Sequence, residues 1–520
     1  MTIWKRRPCL LRSLDIPSSM LTPWAWTWIR GALLFAILAL ALSAHAQNVS
    51  YRDVATIPDT PAYQRAQEVI ELLNAPDSLR IAGYLAKNFT PEFLAIAPLE
   101  QHVRVHLNLA RASGGFDIHS ARIYEPATPE NDAVLVVRNR LTDGWQAVVL
   151  SVEPSAPHRI ASMRFAPARR PSDLPAGEAL ADDEIARRLE QYVKHLSEAG
   201  AFSGTVLLAR NGQVLMQAAE GMANRDFAAP VNLDTKFNLG SMNKMFTAVA
   251  IAQLVEQGKV AFEQPIGRYL DSSWVSPQIS GRVTVHHLLT HTSGLGSYFN
   301  PEFVRSSRLL FRDVDDFRAL VHGDTLAFEP GTAWQYSNTG YLLLGVIIER
   351  ASGESYFSYI RKHITGPAGM TSTDCYELDR VNPNLAVGYE RYWEGDRLRY
   401  RNNIFDHVVR GGPAGGGYST VGDLLRFDAA LRASKLVSKT SLDRLWRAYP
   451  EMKSPDYGYG FMVLQTPAGR MVGHSGGFTG ISAQLAMYLD SGYTLAVLSN
   501  DGEGAPPVVL KAREWIEQGR

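Results

Sequence analysis

Residues 166–177 constrain the architecture of this chain more than any other segment. They read Ala-Pro-Ala-Arg-Arg-Pro-Ser-Asp-Leu-Pro-Ala-Gly, with three prolines and no apolar period. Because proline lacks a backbone donor and clashes with a preceding helical turn, no helix or central strand is expected to run through this segment. The chain has 520 residues and is 46% hydrophobic, which is enough for more than one core. The sequence therefore predicts a linker over 166–180 between two domains, 47–165 and 181–520.

The first 46 residues have the pattern of a signal peptide. The uncharged stretch Gly31–Leu42 runs into Ala44-His-Ala46, a small-x-small cleavage signal before Gln47. An uncleaved anchor is the alternative, but the apolar stretch is shorter than the ~20 residues that cross a bilayer. Met20 is an alternative start. We expect export to the periplasm or the medium, with membrane contact only through this segment if it stays uncleaved. The basic residues before the stretch are Lys5, Arg6, Arg7, Arg12 and Arg30.

Charge and cysteine content narrow the range of partners. Lys and Arg number 52, Asp and Glu number 52, and the formal net charge is zero, which argues against nucleic acid as a partner. A small-molecule or peptide substrate fits better. Cys9 leaves with the signal peptide, and Cys375 cannot then form an intramolecular disulfide. Its acidic neighbours Asp374 and Glu377 would raise a thiol pKa, so Cys375 is predicted to be structural.

The domain at 47–165 is predicted to be a small α+β unit. Helical apolar spacing over 62–73, 77–85 and 99–112 is followed by alternating runs at 133–138, 145–152 and 159–165. These elements predict helices covering a curled antiparallel sheet. Their order resembles the cone-shaped nuclear-transport-factor-2-like fold.

The domain at 181–520 is predicted to build one antiparallel sheet from both of its ends. An amphipathic helix at 182–199 precedes a hairpin at 204–216 with an Asn211-Gly212 turn. The chain then leaves for a mostly helical middle, about 241–445, before it returns to the sheet. We expect the functional cleft where this inserted helical domain meets the sheet. The returning elements are strands at 470–474, 480–489 and 493–499 and a final helix at 506–516.

Ser241-Met-Asn-Lys244 places a hydroxyl and an amine three residues apart, on one face of a helix. An adjacent base is what a serine nucleophile needs at neutral pH. Chance alone can produce such a pair, and Ser241 could simply cap the helix. Its placement strengthens the signal, because Phe237-Asn-Leu-Gly240 ends an extended run and an apolar helix follows. The helix N-terminus would then favour a developing oxyanion at Ser241.

Two further motifs are candidates for the same cleft. Tyr336-Ser-Asn338 is the one Tyr-x-Asn triplet of three that lies between a turn, Glu329-Pro-Gly331, and an apolar helix. His474-Ser475-Gly476 ends the first returning strand, where a small residue lets a substrate lie along the backbone.

Two other patterns favour structural roles. The run Gly411–Gly417 lacks the Gly-Lys-Ser/Thr ending of a phosphate loop and is interpreted as a tight loop before a helix capped by Ser419 or Thr420. His287 and His291 are four residues apart, but no Glu lies between them, and hydrogen bonding around the following loop is the preferred role for them and for His286.

Taken together, the motifs resemble those of the penicillin-recognising serine hydrolases, in the branch of class C β-lactamases, D-aminopeptidases, serine DD-carboxypeptidases and β-lactamase-like esterases. The resemblance covers about 181–518. It also rests on Phe237-Asn-Leu-Gly-Ser241, His287-Leu-Leu-Thr-His-Thr-Ser-Gly-Leu295, Pro330-Gly-Thr-Ala-Trp-Gln-Tyr-Ser-Asn338 and Gly415-Gly-Gly-Tyr-Ser-Thr420. It implies an α/β (α+β) fold of the β-lactamase/transpeptidase type, with no cofactor and no metal.

The resemblance also implies roles. Ser241 attacks a carbonyl and is acylated, and Lys244 and Tyr336 share the general-base task. For this the pKa of the phenol, ordinarily about 10, has to fall by about 3 units, which a contacting cation in a dry cleft would favour. Asn338 would hold a substrate amide or the lysine, and His474 would orient the tyrosine or a substrate carboxylate. Ser475 and Gly476 complete the substrate-binding strand, and the backbone N–H groups of Ser241 and Gly477 would form the oxyanion hole.

One departure from the family pattern bears on the substrate. Class C β-lactamases usually carry lysine at the position of His474, whereas peptidase and esterase relatives often carry histidine. A mostly neutral histidine is a weaker anchor for a carboxylate, which shifts the expectation away from an efficient β-lactamase. The sequence thus predicts an exported serine hydrolase acting on an amide, peptide or ester. The alternative is a non-catalytic sensor or scaffold that only binds its ligand.

Overall fold

The structure, a computed structural model, describes residues 50–125, 129–175, 177–395 and 397–520. The predicted signal peptide at 1–46 lies outside these residues. In the described ranges, no helix combines the length and the apolar character needed to cross a membrane.

The amino-terminal unit is a five-stranded antiparallel sheet, in the order β1 to β5 within the described residues, covered by helices. Helix α1 packs its apolar face on this sheet, and Val69, Leu73, Leu135 and Leu150 share one buried core. The strands are β1 (Ser50–Val54), β2 (Phe116–Glu125), β3 (Asp132–Asn139), β4 (Trp145–Val152) and β5 (Ile160–Pro167). The helices are α1 (Pro61–Asn74), α2 (Ser78–Asn88), α3 (Pro91–Leu94) and α4 (Leu99–Ser113).

The sequence analysis did not predict strands β1 and β2. Their central positions carry a buried ion pair, in which Arg122 Nε and Nη2 donate to the two carboxylate oxygens of Asp53 at 2.8 and 3.0 Å. Charged residues on a buried strand face hide the apolar alternation that identifies a strand. The same Asp53 accepts the backbone N–H of Ser172 at 2.8 Å, so the predicted linker is tied to the edge of this sheet.

The carboxy-terminal unit has the sheet that the sequence predicts, formed by both ends of the segment. Its six described strands run antiparallel in the order β14-β15-β16-β17-β6-β7. The hairpin β6 (Gly204–Arg210) to β7 (Gln213–Glu220) comes first in the chain. The returning strands are β14 (Met462–Thr466), β15 (Gly469–Phe478), β16 (Ile481–Tyr488) and β17 (Tyr493–Ser499).

Helices cover both faces of this six-stranded sheet. On the back face, α5 (Asp182–Glu198) and α16 (Ala505–Glu517) bury apolar residues against alternate positions of β6, β16 and β17. On the front face, the nearly fully buried helix α6 (Asn243–Glu256) shares a core with the residues of β6, β16 and β17 that point to the opposite side of the sheet. The sheet therefore separates two cores, and Ser241 belongs to the front one.

Between β7 and β14 the chain is mostly helical, as predicted, with short strand pairs that the sequence analysis missed. The pairs are β8 (Met222–Asn224) with β9 (Ala229–Pro230), β10 (Phe237–Asn238) with β13 (Tyr418–Ser419), and β11 (Tyr389–Glu394) with β12 (Arg397–Asn402). The remaining helices are α7 (Pro277–Ser280), α8 (Val285–Leu289), α9 (Pro301–Arg305), α10 (Arg318–Val321), α11 (Asn338–Ser352), α12 (Tyr356–Ile360), α13 (Gly366–Ala368), α14 (Val421–Arg432) and α15 (Lys439–Leu445).

The amino-terminal unit contacts the back-face helices. Lys511 Nζ on α16 lies 3.2 Å from Asp143 Oδ2 and 2.9 Å from Glu514 Oε2. The hydroxyl of Tyr192 on α5 donates to the carbonyl of Thr142. These contacts lie across the sheet from Ser241.

We expect Lys511→Met to weaken this contact without changing the front face. The ammonium is almost fully buried while Asp143 is half exposed, so the substitution should lower the free energy of unfolding by about 1 kcal/mol. Thermal unfolding measures the change. Lys194→Met on α5 is the matched control, because its side chain is 67% exposed. A fall in ester hydrolysis by Lys511→Met would contradict the separation of the two faces.

Candidate active site

Ser241 is positioned by a tight turn between a strand and a helix. Strand β10 ends at Asn238, whose Oδ1 accepts the backbone N–H of Gly240 at 2.8 Å. A 3-10 turn at Gly240–Met242 then leads directly into α6. Gly240 has φ of +50°, and a Cβ there would lie 2.7 Å from the backbone nitrogen of Gly477. Glycine is therefore required for Ser241 to lie beside β15.

Lys244 is fully buried one turn further along, with three oxygen atoms around its amine. Nζ lies 3.2 Å from Ser241 Oγ, 2.8 Å from Asn338 Oδ1 and 2.5 Å from the carbonyl oxygen of Ala414. Burial lowers the pKa of Lys244 well below its ordinary 10.5. A neutral amine has two N–H groups, and the amide and carbonyl oxygens can only accept them. In that form the lone pair is left for the Ser241 hydroxyl, the one neighbour of the three that can donate, whereas the ammonium form donates to all three oxygens.

Tyr336 lies directly before Ser337, the N-cap of α11, and its phenol interacts with the Ser241 side chain. The Lys244 amine lies 4.8 Å from the centre of its ring. Burial raises the pKa of the phenol, so the expectation of a lowered pKa for Tyr336 is wrong in direction. The reason is that burial disfavours the phenolate and the ammonium alike, which removes the cation that was to stabilise the phenolate. Tyr336 therefore stays protonated at neutral pH.

Asn338 orients the amine. Its Oδ1 accepts from Lys244, and its Nδ2 donates to Ser297 Oγ at 3.2 Å. Of the two partners that the sequence analysis left open, the structure shows the lysine. Ser297 fixes which end of the amide faces Lys244, and sequence reasoning did not find it.

Strand β15 brings Ser475, Gly476 and Gly477 against the Ser241 turn. A Cβ on Gly476 would lie 1.8 Å from the carbonyl oxygen of Leu239 and 3.2 Å from the backbone nitrogen of Ser241. This closeness brings the two backbone N–H groups that the resemblance assigns to an oxyanion hole, those of Ser241 and Gly477, to one place. Ser475 and Gly477 are half-buried, at the edge of the cleft.

His474 is buried and its two ring nitrogens have partners. Nδ1 lies 2.5 Å from the carbonyl oxygen of Ser475, and Nε2 lies 2.9 Å from the hydroxyl of Tyr457. Burial lowers the pKa of His474 to about 3. The neutral ring therefore donates from Nδ1 to Ser475 and accepts at Nε2 from Tyr457. The partner of His474 is therefore Tyr457 rather than Tyr336.

His291 makes three contacts with the turn that carries Tyr336. Its Nδ1 accepts the backbone N–H of Ser337 at 3.0 Å, its carbonyl accepts that of Gln335 at 2.9 Å, and its ring lies 4.3 Å from the Tyr336 ring, centre to centre. His291 has φ of +62°, a conformation that few residues other than glycine and asparagine adopt readily.

The structure separates the two histidines that could have formed a metal pair. His287 Nδ1 accepts the backbone N–H of Thr284 at 3.1 Å in a capping box at the start of α8, whereas His291 faces the Tyr336 turn. Across the described ranges, no three His, Cys, Asp or Glu side chains form a group that could hold a metal ion.

The glycine-rich run 411–417 supplies a backbone carbonyl, that of Ala414, to the Lys244 amine. Asn243 Nδ2 donates to Gly412 O and its Oδ1 accepts from Gly417 N, both at 3.2 Å, which places Ala414 O against Lys244. Thr420 then caps α14 through Asp423 N, as predicted. Cys375 lies behind this loop, buried, with a pKa raised to about 12.

The fold and the site define a class, serine hydrolases of the β-lactamase type. The family model described as Beta-lactamase matches residues 187–520, and the chain belongs to this family. Penicillin-binding protein 4* of Bacillus subtilis is 35% identical over 353 residues, covering 64% of this chain and 76% of that protein. Esterase EstB of Burkholderia gladioli is 30% identical over 335 residues, covering 56% of this chain and 84% of the esterase. Among solved structures, a penicillin binding protein from Bacillus halodurans matches with a TM-score of 0.56 and 30% identity, covering 61% of this chain and 97% of that one.

We expect the positive φ of His291 and the hydrogen-bond acceptor at its Nδ1 to affect catalytic activity separately. Asparagine accepts φ near +60° and offers an amide oxygen close to the position of Nδ1, whereas glycine keeps only the backbone freedom. His291→Asn should retain p-nitrophenyl acetate hydrolysis within about tenfold, and His291→Gly should lower kcat by about 10²-fold through a displaced Tyr336. Steady-state kinetics and melting temperatures compare the two. Equal activity of equally stable variants would contradict this positioning role.

Proposed function

We propose that this chain is an exported serine hydrolase that forms an acyl-enzyme at Ser241 and hydrolyses an amide, peptide or ester. One observation carries the proposal. Nζ of the buried Lys244 lies within hydrogen-bond distance of Ser241 Oγ, Asn338 Oδ1 and Ala414 O. In the neutral form of the amine, two N–H groups reach the two oxygens that only accept, and the lone pair faces the Ser241 hydroxyl. The family supports hydrolase activity in general, since its members here include penicillin-binding proteins and an esterase.

In the acylation step, the Lys244 amine takes the proton of Ser241 as Oγ bonds to the substrate carbonyl carbon. The backbone N–H groups of Ser241 and Gly477 stabilise the negative charge on the carbonyl oxygen. The phenol of Tyr336 donates its proton to the departing nitrogen or oxygen as that bond breaks, and the Lys244 ammonium replaces the proton on the phenol. The step ends with an ester at Ser241, a released leaving group and a neutral amine.

In deacylation, water attacks the ester at Ser241 and Lys244 carries the proton. The Lys244 amine accepts a proton from water, the hydroxide oxygen attacks the ester carbon, and Ser241 Oγ departs with a proton from Lys244. The raised pKa of Tyr336 supports its assignment as a proton donor, because the phenol is fully protonated at neutral pH.

We expect a fluorophosphonate probe to label Ser241 in the wild-type protein, with the mass increase located by peptide mass spectrometry. Ser241→Ala should lose the label. Lys244→Arg should lower kcat/KM for p-nitrophenyl acetate by about 10³-fold, because arginine stays protonated and cannot accept the serine proton. Lys439→Arg, a surface position on α15, is the matched control.

The pH dependence tests the role of the amine. The neutral amine is the base, so kcat/KM should rise as pH rises through the pKa of Lys244. Because burial lowers that pKa, the rise should be complete well below pH 10.5. A rise confined to pH above 10, or a folded wild-type protein that takes no label, would contradict the proposal and favour a ligand-binding sensor or scaffold.

Export has its own test. We expect the protein isolated from a secreting host to begin at Gln47, because Ala44-His-Ala46 offers small residues at the cleavage site. N-terminal sequencing identifies the first residue. Ala46→Arg should block cleavage and leave the longer chain with the membranes. A wild-type protein that retains its leader in the membrane fraction would show the uncleaved anchor instead.

A further inference from the structure

Three rings form an uncharged surface directly beyond the end of the substrate-binding strand. Phe478 follows Gly477 in β15, with its ring centre 5.7 Å from that of Phe299 and 5.0 Å from that of His407. We call these three rings the aromatic wall. Phe299 follows Ser297, the partner of Asn338, by two residues. The aromatic wall therefore connects the Gly477 side of the cleft to the Asn338 side.

The wall is held in place by hydrogen bonds. Asn403 Nδ2 lies 2.7 Å from His407 Nε2 and donates to the carbonyl of Thr479, also at 2.7 Å. Because the amide donates to Nε2, this nitrogen of His407 is unprotonated. Burial lowers the pKa of His407 to about 4, so the ring is neutral in neutral solution. The loop that carries His407 is thus fixed to the residue that follows Phe478.

The charged groups around the wall have partners of their own. The carboxylate of Asp406 accepts a hydrogen bond from Arg401 Nη2 at 3.1 Å, and Arg308 donates to the backbone oxygen of Ser306 at 2.9 Å. Glu390 accepts the backbone N–H of Gly480 at 2.8 Å.

Apolar side chains extend the surface outward. Next to His407, Ile404 is 51% exposed and Phe405 is 85% exposed. At the strand itself, His474 is neutral and engaged with Tyr457 and Ser475. The rings and their apolar neighbours therefore offer apolar contact area at this end of the cleft, and the cation beside them, Arg308, is engaged with the backbone oxygens of Val304 and Ser306.

We propose that the acyl donor carries an uncharged apolar group that packs on the aromatic wall, which makes the preferred substrate an apolar ester or amide rather than a peptide with a free carboxylate beside Ser241. This inference rests on the proposed acyl-enzyme chemistry. It adds Phe478 as the residue that determines specificity, because its ring is central to the wall and adjacent to Gly477.

Chain-length series test the proposal with the full chain. p-Nitrophenyl esters from acetate to octanoate vary the acyl side, and acetate esters of ethanol to octanol vary the alcohol side. In one of the two series kcat/KM should rise at least about tenfold with length. Phe478→Ala should lower the ratio of kcat/KM for the longest substrate to that for the shortest by about tenfold. Phe227→Ala is the matched control, since that ring is 83% exposed on the turn between β8 and β9.

A pair of esters matched in chain length but different in charge tests the second half of the proposal. p-Nitrophenyl butyrate and p-nitrophenyl hemisuccinate have acyl chains of equal carbon number, and only the second carries a carboxylate. We expect the butyrate to react at least about tenfold faster. Two results would overturn this inference alone, provided that fluorophosphonate still labels Ser241. One is a kcat/KM that does not change with chain length in either series, and the other is faster hydrolysis of the hemisuccinate than of the butyrate. Absence of labelling would overturn the acyl-enzyme proposal itself.

Discussion

The burial of one lysine amine is the constraint on which the rest of the site depends. A buried ammonium loses its hydration, so Lys244 is stable inside the front core only with hydrogen-bond partners or as a neutral amine. Asn338 and Ala414 supply the partners from two distant segments, the start of α11 and the glycine-rich loop. These segments pack around the amine, and the seam between sheet and helices therefore forms where Ser241 lies.

Close backbone approach is the second requirement, and it explains the glycines at the seam. The turn at Gly240 and the strand at Gly476 are so near that a Cβ on either would overlap the other segment. Two peptide N–H groups from separate elements are thereby brought close together. The geometry comes from the packing of β15 on the Ser241 turn, so the proposed pair of oxyanion-hole donors, at Ser241 and Gly477, needs no side chain.

Local spacing made part of the site predictable from sequence. The pair Ser241 and Lys244 lies within one helical turn, and the apolar α6 and the returning strands have clear periods. Spacing and placement together therefore located the candidate nucleophile, its amine and the main sheet. The contribution of Ala414 comes from a backbone carbonyl, which any residue type provides. The sequence around Tyr457 does not distinguish it from a core tyrosine, and only the fold shows that its hydroxyl contacts His474. Strands β1 and β2 were missed because a buried ion pair replaces apolar residues.

The dry surroundings of the site have consequences for the substrate. Burial lowers the pKa of the Lys244 amine and of the His474 imidazole and raises the pKa of the Tyr336 phenol, so it disfavours the charged form of each group. In the proposed reaction, charge develops as an ammonium at Lys244 near the oxyanion of the substrate carbonyl that is bonded to Ser241, and the two stabilise each other in a medium where water does not screen them. A carboxylate bound beside the amine would stabilise the ammonium before reaction and so raise the pKa of Lys244. That would convert the base to its inactive form, which is a physical reason for an uncharged group to occupy the aromatic wall.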